Sequence, residues 1–359
     1  MRAISLFSGA GGMDAGFEAA GVDILWANEC NTDAVNTYRA NHLAAQIEHA
    51  DIRDAKRLLT RYADEPIDLV FGGPPCQGFS VAGKMDPNDE RNTMVWEFFD
   101  VVEMLSPSLF VMENVKALGM LARWREMREK IFKRSGDLGY HCFSRILNAA
   151  DFGVPQNRER VLFIGIKLPG ANGAEALFDA CIQSRRKPPP SLRECLLRAG
   201  TAGTPENPIT CTAKISLALN PVIRRSPYAG MLFNGAGRPL NLDGLANTLP
   251  ASMGGNKTPI VDGRLLHDPS AENWIAVHHQ KLLRGEADAA SQTVPDYFRR
   301  LTIREAAAVQ TFPPGYVFCG EKSSVYRQIG NAVPCSLAKA IAEAVIETAQ
   351  NMELLRTAG

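Results

Sequence analysis

Long apolar runs are missing from this sequence of 359 residues, and none approaches the ~18 residues that a membrane helix needs. The N-terminus runs from Met1 through Phe7 directly into a glycine-rich stretch, without the apolar segment of a signal peptide. Internal repeats and low-complexity tracts are also absent. These absences predict a cytoplasmic globular protein with no membrane partner. At ~100–200 residues per domain, the length suggests two domains, or one large domain carrying an insertion.

An excess of charge of either sign is also missing, because 39 Lys and Arg residues balance 39 Asp and Glu residues. A protein that coats nucleic acid non-specifically would normally be basic overall, so any site for a polyanion must be a local patch. Residues 181–240 supply one, with nine basic and two acidic residues and a net charge of +7. The same region is rich in proline, since residues 181–260 hold 10 of the 22 prolines.

Closely spaced cysteines are the third absence, since none of the eight forms a C-x-x-C pair. A zinc ribbon or a thioredoxin-type redox pair is therefore not expected, and neither is any other metal site. A disulfide framework is uncommon in a cytosolic chain of this size. Each cysteine is expected to be a small buried hydrophobic residue, with the exception of Cys76.

Short apolar runs followed by polar or glycine-rich residues predict a mainly parallel α/β sheet. Helical patterns follow Gly12 and return at 302–309 and 333–348. Because ligands bind at the carboxyl edge of such sheets, the residues after each strand are candidates for a site. The predicted strands are Ala3–Phe7, Ile24–Ala27, Asp68–Phe71, Ser108–Met112 and Arg160–Ile166.

Three features after the early strands favour a nucleoside-containing cofactor. The turn from Phe7 to Gly12 is glycine-rich, so its backbone could approach a ligand. Glu29 could accept both hydroxyls of a ribose, and Asp51, followed by Ile52, suits an adenine amino group. The turn lacks the G-x-G-x-x-G spacing, so adenosine with a small tail fits better than a dinucleotide.

Cys76 stands on a loop that prolines stiffen and glycines flank, directly after the strand that ends at Phe71. A structural cysteine would more commonly lie inside a strand or helix, whereas a nucleophile needs such presentation. Residues 81–95 follow this loop and have the composition of a mobile segment that could close over a substrate.

Five segments together resemble the ordered motifs of the DNA cytosine-5 methyltransferases, at the family's spacing and in its usual order. The resemblance covers residues 1–168 and roughly 299–349. The segments are Ser5–Gly12, Pro74–Gln77, Glu113–Val115, Gln156–Arg160 and Gln328–Pro334.

The resemblance implies a Rossmann-like α/β fold that binds S-adenosylmethionine, with a catalytic domain at 1–168 and 299–359. An irregular, strand-containing target-recognition domain is implied at 169–298. The family's nucleophile corresponds to Cys76, its carboxylate to Glu113, and its supporting arginines to Arg158 and Arg160. The implied cofactor-binding residues are Phe7, Gly9, Gly11, Gly12, Glu29, Asp51, Ile52, Gly73, Pro74 and Asn331.

The implied activity is transfer of a methyl group to carbon 5 of a cytosine flipped out of a specific double-stranded DNA sequence. The implied partners are this DNA and a cognate restriction endonuclease, and the chain is expected to be a monomer. Ser252–Pro259 is predicted to be a loop that faces a DNA groove.

Three other functions compete with this prediction. A tRNA cytosine-5 methyltransferase shares the catalytic motifs, although the Cys-Phe-Thr signature of that branch is absent from 170–298. An NAD-linked oxidoreductase is compatible with the glycine-rich turn but gives the Cys76 loop no role. A non-catalytic DNA-binding subunit would not need Cys76 and Glu113.

Overall fold

The computed structural model describes residues 1–62, 64–75, 93–167, 171–286 and 293–357. Between residues 1 and 167 of the described chain, the strands are β1 (Arg2–Leu6), β2 (Asp23–Glu29), β3 (Gln46–His49), β4 (Leu69–Gly72), β5 (Leu109–Val115), β6 (His141–Asn148), β7 (Gln156–Asn157) and β8 (Glu159–Ile166). All except β7 join one sheet in the order β3-β2-β1-β4-β5-β8-β6. The five predicted strands are confirmed, with boundaries that differ by at most three residues.

Neighbouring strands from β3 to β5 are parallel, and β8 is antiparallel to both of its neighbours. The predicted mainly parallel sheet is therefore confirmed, with β8 as the exception. Because β8 runs in the opposite direction, its first residues lie at the edge where the parallel strands end. This reversal brings the start of β8 to the carboxyl end of β5.

Helices cover both faces of the sheet, as expected for strands that are buried on both sides. In the described residues they are α1 (Gly12–Ala19), α2 (Thr32–Asn41), α3 (Ile52–Ala55), α4 (Met94–Leu105), α5 (Lys116–Met120), α6 (Arg125–Asp137), α7 (Ala174–Ser184), α8 (Leu192–Arg198), α9 (Gly263–His267), α10 (Trp274–Leu283), α11 (Ile303–Val309), α12 (Lys322–Asn331) and α13 (Cys335–Thr357). One face packs on α1, α7 and α13, and the other packs on α4 and α6. The helices expected near 302–309 and 333–348 correspond to α11 and α13.

The predicted mobile segment at 81–95 lies mostly outside the described residues, which resume at residue 93. Met94 and Val95 do not belong to such a segment, because they begin α4 and are buried in the core. Their apolar side chains pack against the sheet, and this packing outweighs the loop-like composition of the residues before them.

Residues 169–298, called the inserted region below, contain only short strands in the described chain, the last of which runs on to residue 300: β9 (Leu217–Val222), β10 (Met231–Phe233), β11 (Ala246–Asn247), β12 (Ile260–Asp262) and β13 (Phe298–Arg300). They form three small two-stranded sheets, one of which pairs β11 with β7. The first helix of this region, α7, packs on the central sheet and α13. The inserted region therefore joins the catalytic core through both α7 and β11.

The segment Lys322–Met352, which spans α12 and α13, is long and apolar enough by length and composition to cross a membrane. Two thirds of its apolar window is buried within the fold, where α13 packs on α1 and α7. This burial is what a core helix of a soluble protein shows.

Candidate active site

A cleft of about 1290 Å³ opens at the carboxyl edge of the parallel strands. Its walls come from the first part of the chain, from the segment around Asn331 and from residues 248–252 of the inserted region. Gly11 does not line this cleft, and Cys76 lies outside the described residues. The other twelve predicted site residues all line it: Phe7, Gly9, Gly12, Glu29, Asp51, Ile52, Gly73, Pro74, Glu113, Arg158, Arg160 and Asn331.

The glycine-rich turn after β1 adopts left-handed backbone conformations. Gly9 has φ of 56° and Gly11 has φ of 80°, which glycine adopts without steric cost. Phe7 has φ of 55°, an uncommon conformation for a bulky residue that is typical of binding sites. No described atom lies within 4 Å of where a Cβ on Gly9 would stand, so the space above this backbone is open to a ligand.

Glu29 lies beside this turn because β1 and β2 are parallel neighbours that end at the same edge. Its Oε2 accepts a hydrogen bond from the Gly9 amide at 3.0 Å. Its Oε1 accepts from the amides of Cys30 and Asn31 at 2.9 and 2.7 Å. The carboxylate is therefore fixed at the cleft wall, and Oε2 keeps a lone pair for a further donor.

Asp51 and Ile52 follow β3 at the same edge, where Asp51 caps α3. Arg53 donates to both carboxylate oxygens of Asp51, with Nε and Nη2 at 2.9 and 2.7 Å. These hydrogen bonds lower the pKa of Asp51. An adenine amino group would thus have to share an oxygen with Arg53, a partner that the sequence did not indicate. Ile52 is buried and supplies an apolar wall.

Glu113 and Arg160 form a largely buried ion pair, with Nε 2.7 Å from Oε1. The register of β5 and β8 explains it, because Arg160 lies opposite Val115, two residues beyond Glu113 on the same face. Burial raises the pKa of Glu113, while the charges of Arg160 and Arg158 work against that rise. The carboxyl group therefore combines a desolvated position with a fixed cationic partner.

The backbone that leads to Cys76 is attached to this pair. A Cβ on Gly73 would stand 2.9 Å from Glu113 Oε2, so Gly73 leaves room for the carboxylate. Asn114 donates to the Pro74 carbonyl at 3.2 Å. The Gly73–Pro74 segment, which leads to Cys76, is thus held against the end of β5.

Arg158 has a different environment from Arg160, although only one residue separates them and the resemblance implies that both are supporting arginines. It precedes β8, is 1% exposed, and donates to the carbonyls of Leu249, Gly330 and Asn331 at 3.0–3.4 Å. Its guanidinium therefore joins the three parts of the chain that line the cleft, while Arg160 holds the carboxylate.

Residues 246–250 of the inserted region run beside this arginine. Gln156 accepts from the Leu249 amide and donates to the side chain of Gln310, both at 2.8 Å. Gln310 in turn donates to the carbonyls of Ile329 and Ala332. These buried amides connect the two pieces of the predicted catalytic domain, and sequence spacing could not reveal them because the partners are far apart in the chain.

The charge expected at 181–240 is not one continuous patch. Several of its arginines pair with acidic residues of other segments, so their charge is locally neutralised: Arg185 with Glu343 and Glu347, Arg186 with Asp151, and Arg193 with Asp243. Arg224 and Arg225 are exposed between β9 and β10. A net charge counted over residues 181–240 misses these pairs, because all of their acidic partners lie outside that segment and approach it only in the folded chain.

The loop predicted to face a DNA groove, Ser252–Pro259, is partly built into the fold. Ser252 and Lys257 line the cleft, whereas Met253 and Thr258 are buried. Arg327, on α12, also lines the cleft. Only some side chains of this loop are therefore accessible from the cleft, and its contact with a DNA groove stays a prediction.

One further expectation needs correction, and one residue of the cleft was missed. Cys30 is exposed, and Cys142 and Cys319 are half-buried, so burial of the cysteines was predicted too broadly. Asp14 was not singled out, yet it lines the cleft with no exposed surface. An acidic residue in the first turn of a short helix that directly follows the glycine-rich turn was the available signal. Within the described residues, no cluster of His, Cys, Asp or Glu suits a metal ion.

Known proteins share this architecture and sequence. The family model described as C-5 cytosine-specific DNA methylase matches residues 1–196 and 251–347. The Type II methyltransferase M1.HphI of Haemophilus parahaemolyticus is 35% identical, over 97% of this chain and 87% of its own. M.FnuDI of Fusobacterium nucleatum is 32% identical, over 99% and 97%. A solved structure described as a DNA modification methyltransferase of an E. coli prophage has a TM-score of 0.64 at 23% identity, covering 98% and 99%.

The family match takes in the glycine-rich turn, the Glu113–Arg160 pair and the segment around Asn331 that together form the cleft. It leaves out residues 197–250, within the inserted region. The chain therefore belongs to the C-5 cytosine-specific DNA methylases, as a DNA cytosine methyltransferase of the bacterial restriction-modification type.

Proposed function

We propose that this chain methylates carbon 5 of a cytosine rotated out of a specific double-stranded DNA sequence, through a covalent adduct of Cys76 at carbon 6. The observation that carries the proposal is the largely buried Glu113–Arg160 pair, which shares one cleft with the open glycine-rich turn. The Glu113–Arg160 pair suits a cytosine ring, and the glycine-rich turn suits the methyl donor.

The residues of the turn fit S-adenosylmethionine. The open space above Gly9 and the left-handed backbone at Phe7 provide a cradle, and Glu29 Oε2 can accept from a ribose hydroxyl. Asp51 and Ile52 would flank the adenine, while Gly73, Pro74 and Asn331 would close the other side. When bound, S-adenosylmethionine supplies an electrophilic methyl group.

Carbon 5 of cytosine is a poor nucleophile, so the enzyme must first change the ring. The Cys76 thiolate adds to carbon 6, a carbon–sulfur bond forms, and the displaced electron pair makes carbon 5 an enamine carbon. Carbon 5 would then attack the methyl group of S-adenosylmethionine, the methyl–sulfur bond would break, and the sulfur would keep that electron pair in the departing S-adenosylhomocysteine. Loss of the proton from carbon 5 returns the electron pair to the ring, and the thiolate leaves.

Glu113 assists the addition by donating a proton or hydrogen bond to ring nitrogen 3. Its raised pKa, caused by burial, favours the protonated form that a general acid needs, and Arg160 fixes its orientation. Arg158 acts at a distance, because it holds the carbonyls of Leu249 and Gly330 at the cleft wall.

A cytosine inside a duplex is stacked, so its rotation into the cleft costs a few kcal/mol of unstacking. Lys257 and Arg327 line the cleft and carry positive charge where the DNA backbone would approach.

We propose that residues 169–298 choose the DNA sequence, while 1–168 and 299–359 supply the chemistry. The stretch 197–250, which the family model does not match, is the strongest candidate for sequence readout. Helix α7, at the start of this region, packs on the central sheet. We propose that it anchors the region to the rest of the chain and does not contact the DNA bases.

To test this, the purified chain, which we expect to be a monomer, is incubated with S-adenosylmethionine and plasmid DNA. The plasmid is then analysed by bisulfite sequencing. Methylated cytosines within one recurring sequence are expected. A parallel reaction with tRNA tests the competing function. Methylation of tRNA but not of DNA would overturn the proposal.

A chimera tests the division of the chain. Residues 170–298 are replaced by the corresponding region of another family member, and methylation is expected to move to that member's sequence. If the chimera is active and retains the original sequence, the inserted region does not determine specificity.

A further inference from the structure

A cluster of polar side chains packs against the glycine-rich turn. It consists of Asp14 and Glu18 on α1, Tyr38 on α2, His42 directly after α2, and Tyr316 after α11. His42 is 3% exposed and Tyr38 is fully buried. We call these five residues the support cluster.

The hydrogen bonds of the cluster define where its protons lie. Tyr316 Oη is 2.5 Å from the Ala10 carbonyl, and because a carbonyl can only accept, the tyrosine must donate its proton there. His42 Nε2 is 2.8 Å from the same Tyr316 oxygen, so Nε2 must donate to it. His42 Nδ1 is 2.8 Å from Glu18 Oε2, and a carboxylate also only accepts. With Glu18 ionised, this geometry requires both ring nitrogens to donate, which is the arrangement of an imidazolium at His42.

This relay ends on the backbone that cradles the cofactor. Ala10 lies between Gly9 and Gly11, whose left-handed conformations shape the turn. A Cβ on Gly11 would stand 2.1 Å from His42 Nε2, so the ring packs directly on the Gly11 backbone. The turn is thus held by Glu29, through the Gly9 amide, and by Tyr316 and His42.

Groups from each packed element face the imidazolium. Glu18 binds it directly, Tyr38 stacks on it with ring centroids 4.2 Å apart, and Tyr38 donates to Asp14 at 2.9 Å. Burial of the ring lowers the pKa of His42, but the Glu18 hydrogen bond and the charges of Asp14 and Glu18 outweigh burial and raise it. Burial also raises the pKa of Asp14, to about 6.

We infer that His42 is a positioning residue that, as an imidazolium, locks the glycine-rich turn through Tyr316 and makes cofactor affinity depend on pH. The inference rests on the proposed function, since it assumes that the turn binds S-adenosylmethionine. The neutral ring cannot donate from both nitrogens, so loss of its proton breaks one link of the relay. Cofactor affinity therefore falls as the pH rises through the raised pKa of His42.

The experiment measures S-adenosylmethionine binding by calorimetry between pH 6 and pH 9. Wild-type affinity is expected to fall roughly five- to tenfold across this range, the effect of one lost hydrogen bond. Glu18→Gln removes the carboxylate and should move the fall to lower pH. Tyr316→Phe breaks the relay while keeping the ring, and should weaken binding at pH 6 and remove most of the pH dependence.

His42→Gln should behave like Tyr316→Phe, and thermal unfolding identifies any variant that fails to fold. His267→Gln is the matched control, because His267 is exposed on α9 away from the cleft. It should reproduce the wild-type curve and so account for protons that the ligand itself releases.

The outcomes are distinct. If wild type binds the cofactor and Tyr316→Phe shows the same affinity and pH dependence, the inference is wrong and the proposed function stands. If wild type shows no binding at any pH, the proposed function and the inference both fail. A Glu18→Gln curve that coincides with wild type would also overturn the role assigned to the imidazolium.

Discussion

The two sides of the cleft are built differently. On the cofactor side, strand ends of one sheet place Glu29, Asp51 and Glu113 through backbone register. On the proposed recognition side, strands of two to six residues depend on buried side chains, above all Arg300, which ends β13 just beyond residue 298 and is 2% exposed. The difference shows that the sheet positions the candidate site residues through short local motifs, whereas the loops of the inserted region are held by contacts between residues far apart in the sequence.

The largest expected effect comes from removing the proposed nucleophile alone. Cys76→Ser should lower methyl transfer by at least ~10³-fold, because a hydroxyl is far less ionised than a thiol at neutral pH. Binding of S-adenosylmethionine should stay nearly intact. A duplex with 5-fluorocytosine at the target should trap wild type covalently, since the fluorine cannot be eliminated. Wild-type turnover by the serine variant, or a missing adduct, would refute the mechanism.

Glu113→Gln tests the same side through the carboxyl group. It should lower kcat by ~10²–10⁴-fold, the usual contribution of a general acid, and leave Arg160 without its anion. Cofactor affinity, measured by calorimetry, should change little. Equal losses of kcat and of cofactor affinity would instead indicate that the pair only supports the fold.

Arg300→Gln sharpens the comparison from the recognition side. Its guanidinium donates to the carbonyls of Ala213, Lys214, Asn256 and Thr258, and no carboxylate in the described chain pairs with it. Leaving these acceptors without donors should cost about 2–4 kcal/mol of stability.

Limited proteolysis should show cleavage within the inserted region of this variant, with cofactor binding preserved. Lys281→Gln, on the exposed surface of α10, serves as the control. Loss of cofactor binding in Arg300→Gln alone would mean that the two sides are not independent.

Glu29→Ala probes the cofactor side more mildly. It removes the proposed charge-assisted hydrogen bond to ribose and the acceptor of the Gly9 amide, so the free energy of cofactor binding should weaken by ~1.5–3 kcal/mol. DNA binding should change less. Glu48→Ala is the control, because Glu48 lies on the neighbouring strand β3 and does not line the cleft. If calorimetry shows wild-type cofactor affinity in both variants, Glu29 is not part of the cofactor site.

Arg224→Ala and Arg225→Ala are expected to have the smallest effect. At least one should contact a phosphate, so binding should weaken on all sequences and the salt slope should drop by about one unit. A guanine contact would instead relax one position of the site, by roughly 1–3 kcal/mol. Arg125→Ala, which is 78% exposed on α6, is the control. Titrations at several salt concentrations that match wild type in both variants would exclude this pair from the interface.

Much of the catalytic side was predictable because its signals are local. The strand boundaries, the turn at Gly9 and the position of Glu113 at a strand end follow from apolar runs and the residues that interrupt them. The Arg53 partner of Asp51 and the support cluster beside Gly11 were not predictable, because they depend on which side chains the fold brings within hydrogen-bond distance.

The sequence by itself determined the family, the order of the motifs and the residues proposed for chemistry, since each motif is a short segment whose residues keep a fixed spacing. Only the tertiary structure decided that β8 reverses direction, and so placed Arg160 against Glu113. It also decided which charges of 181–240 are neutralised and where Arg158 binds. These are contacts between residues distant in sequence, and their geometry is set by packing that no local pattern encodes.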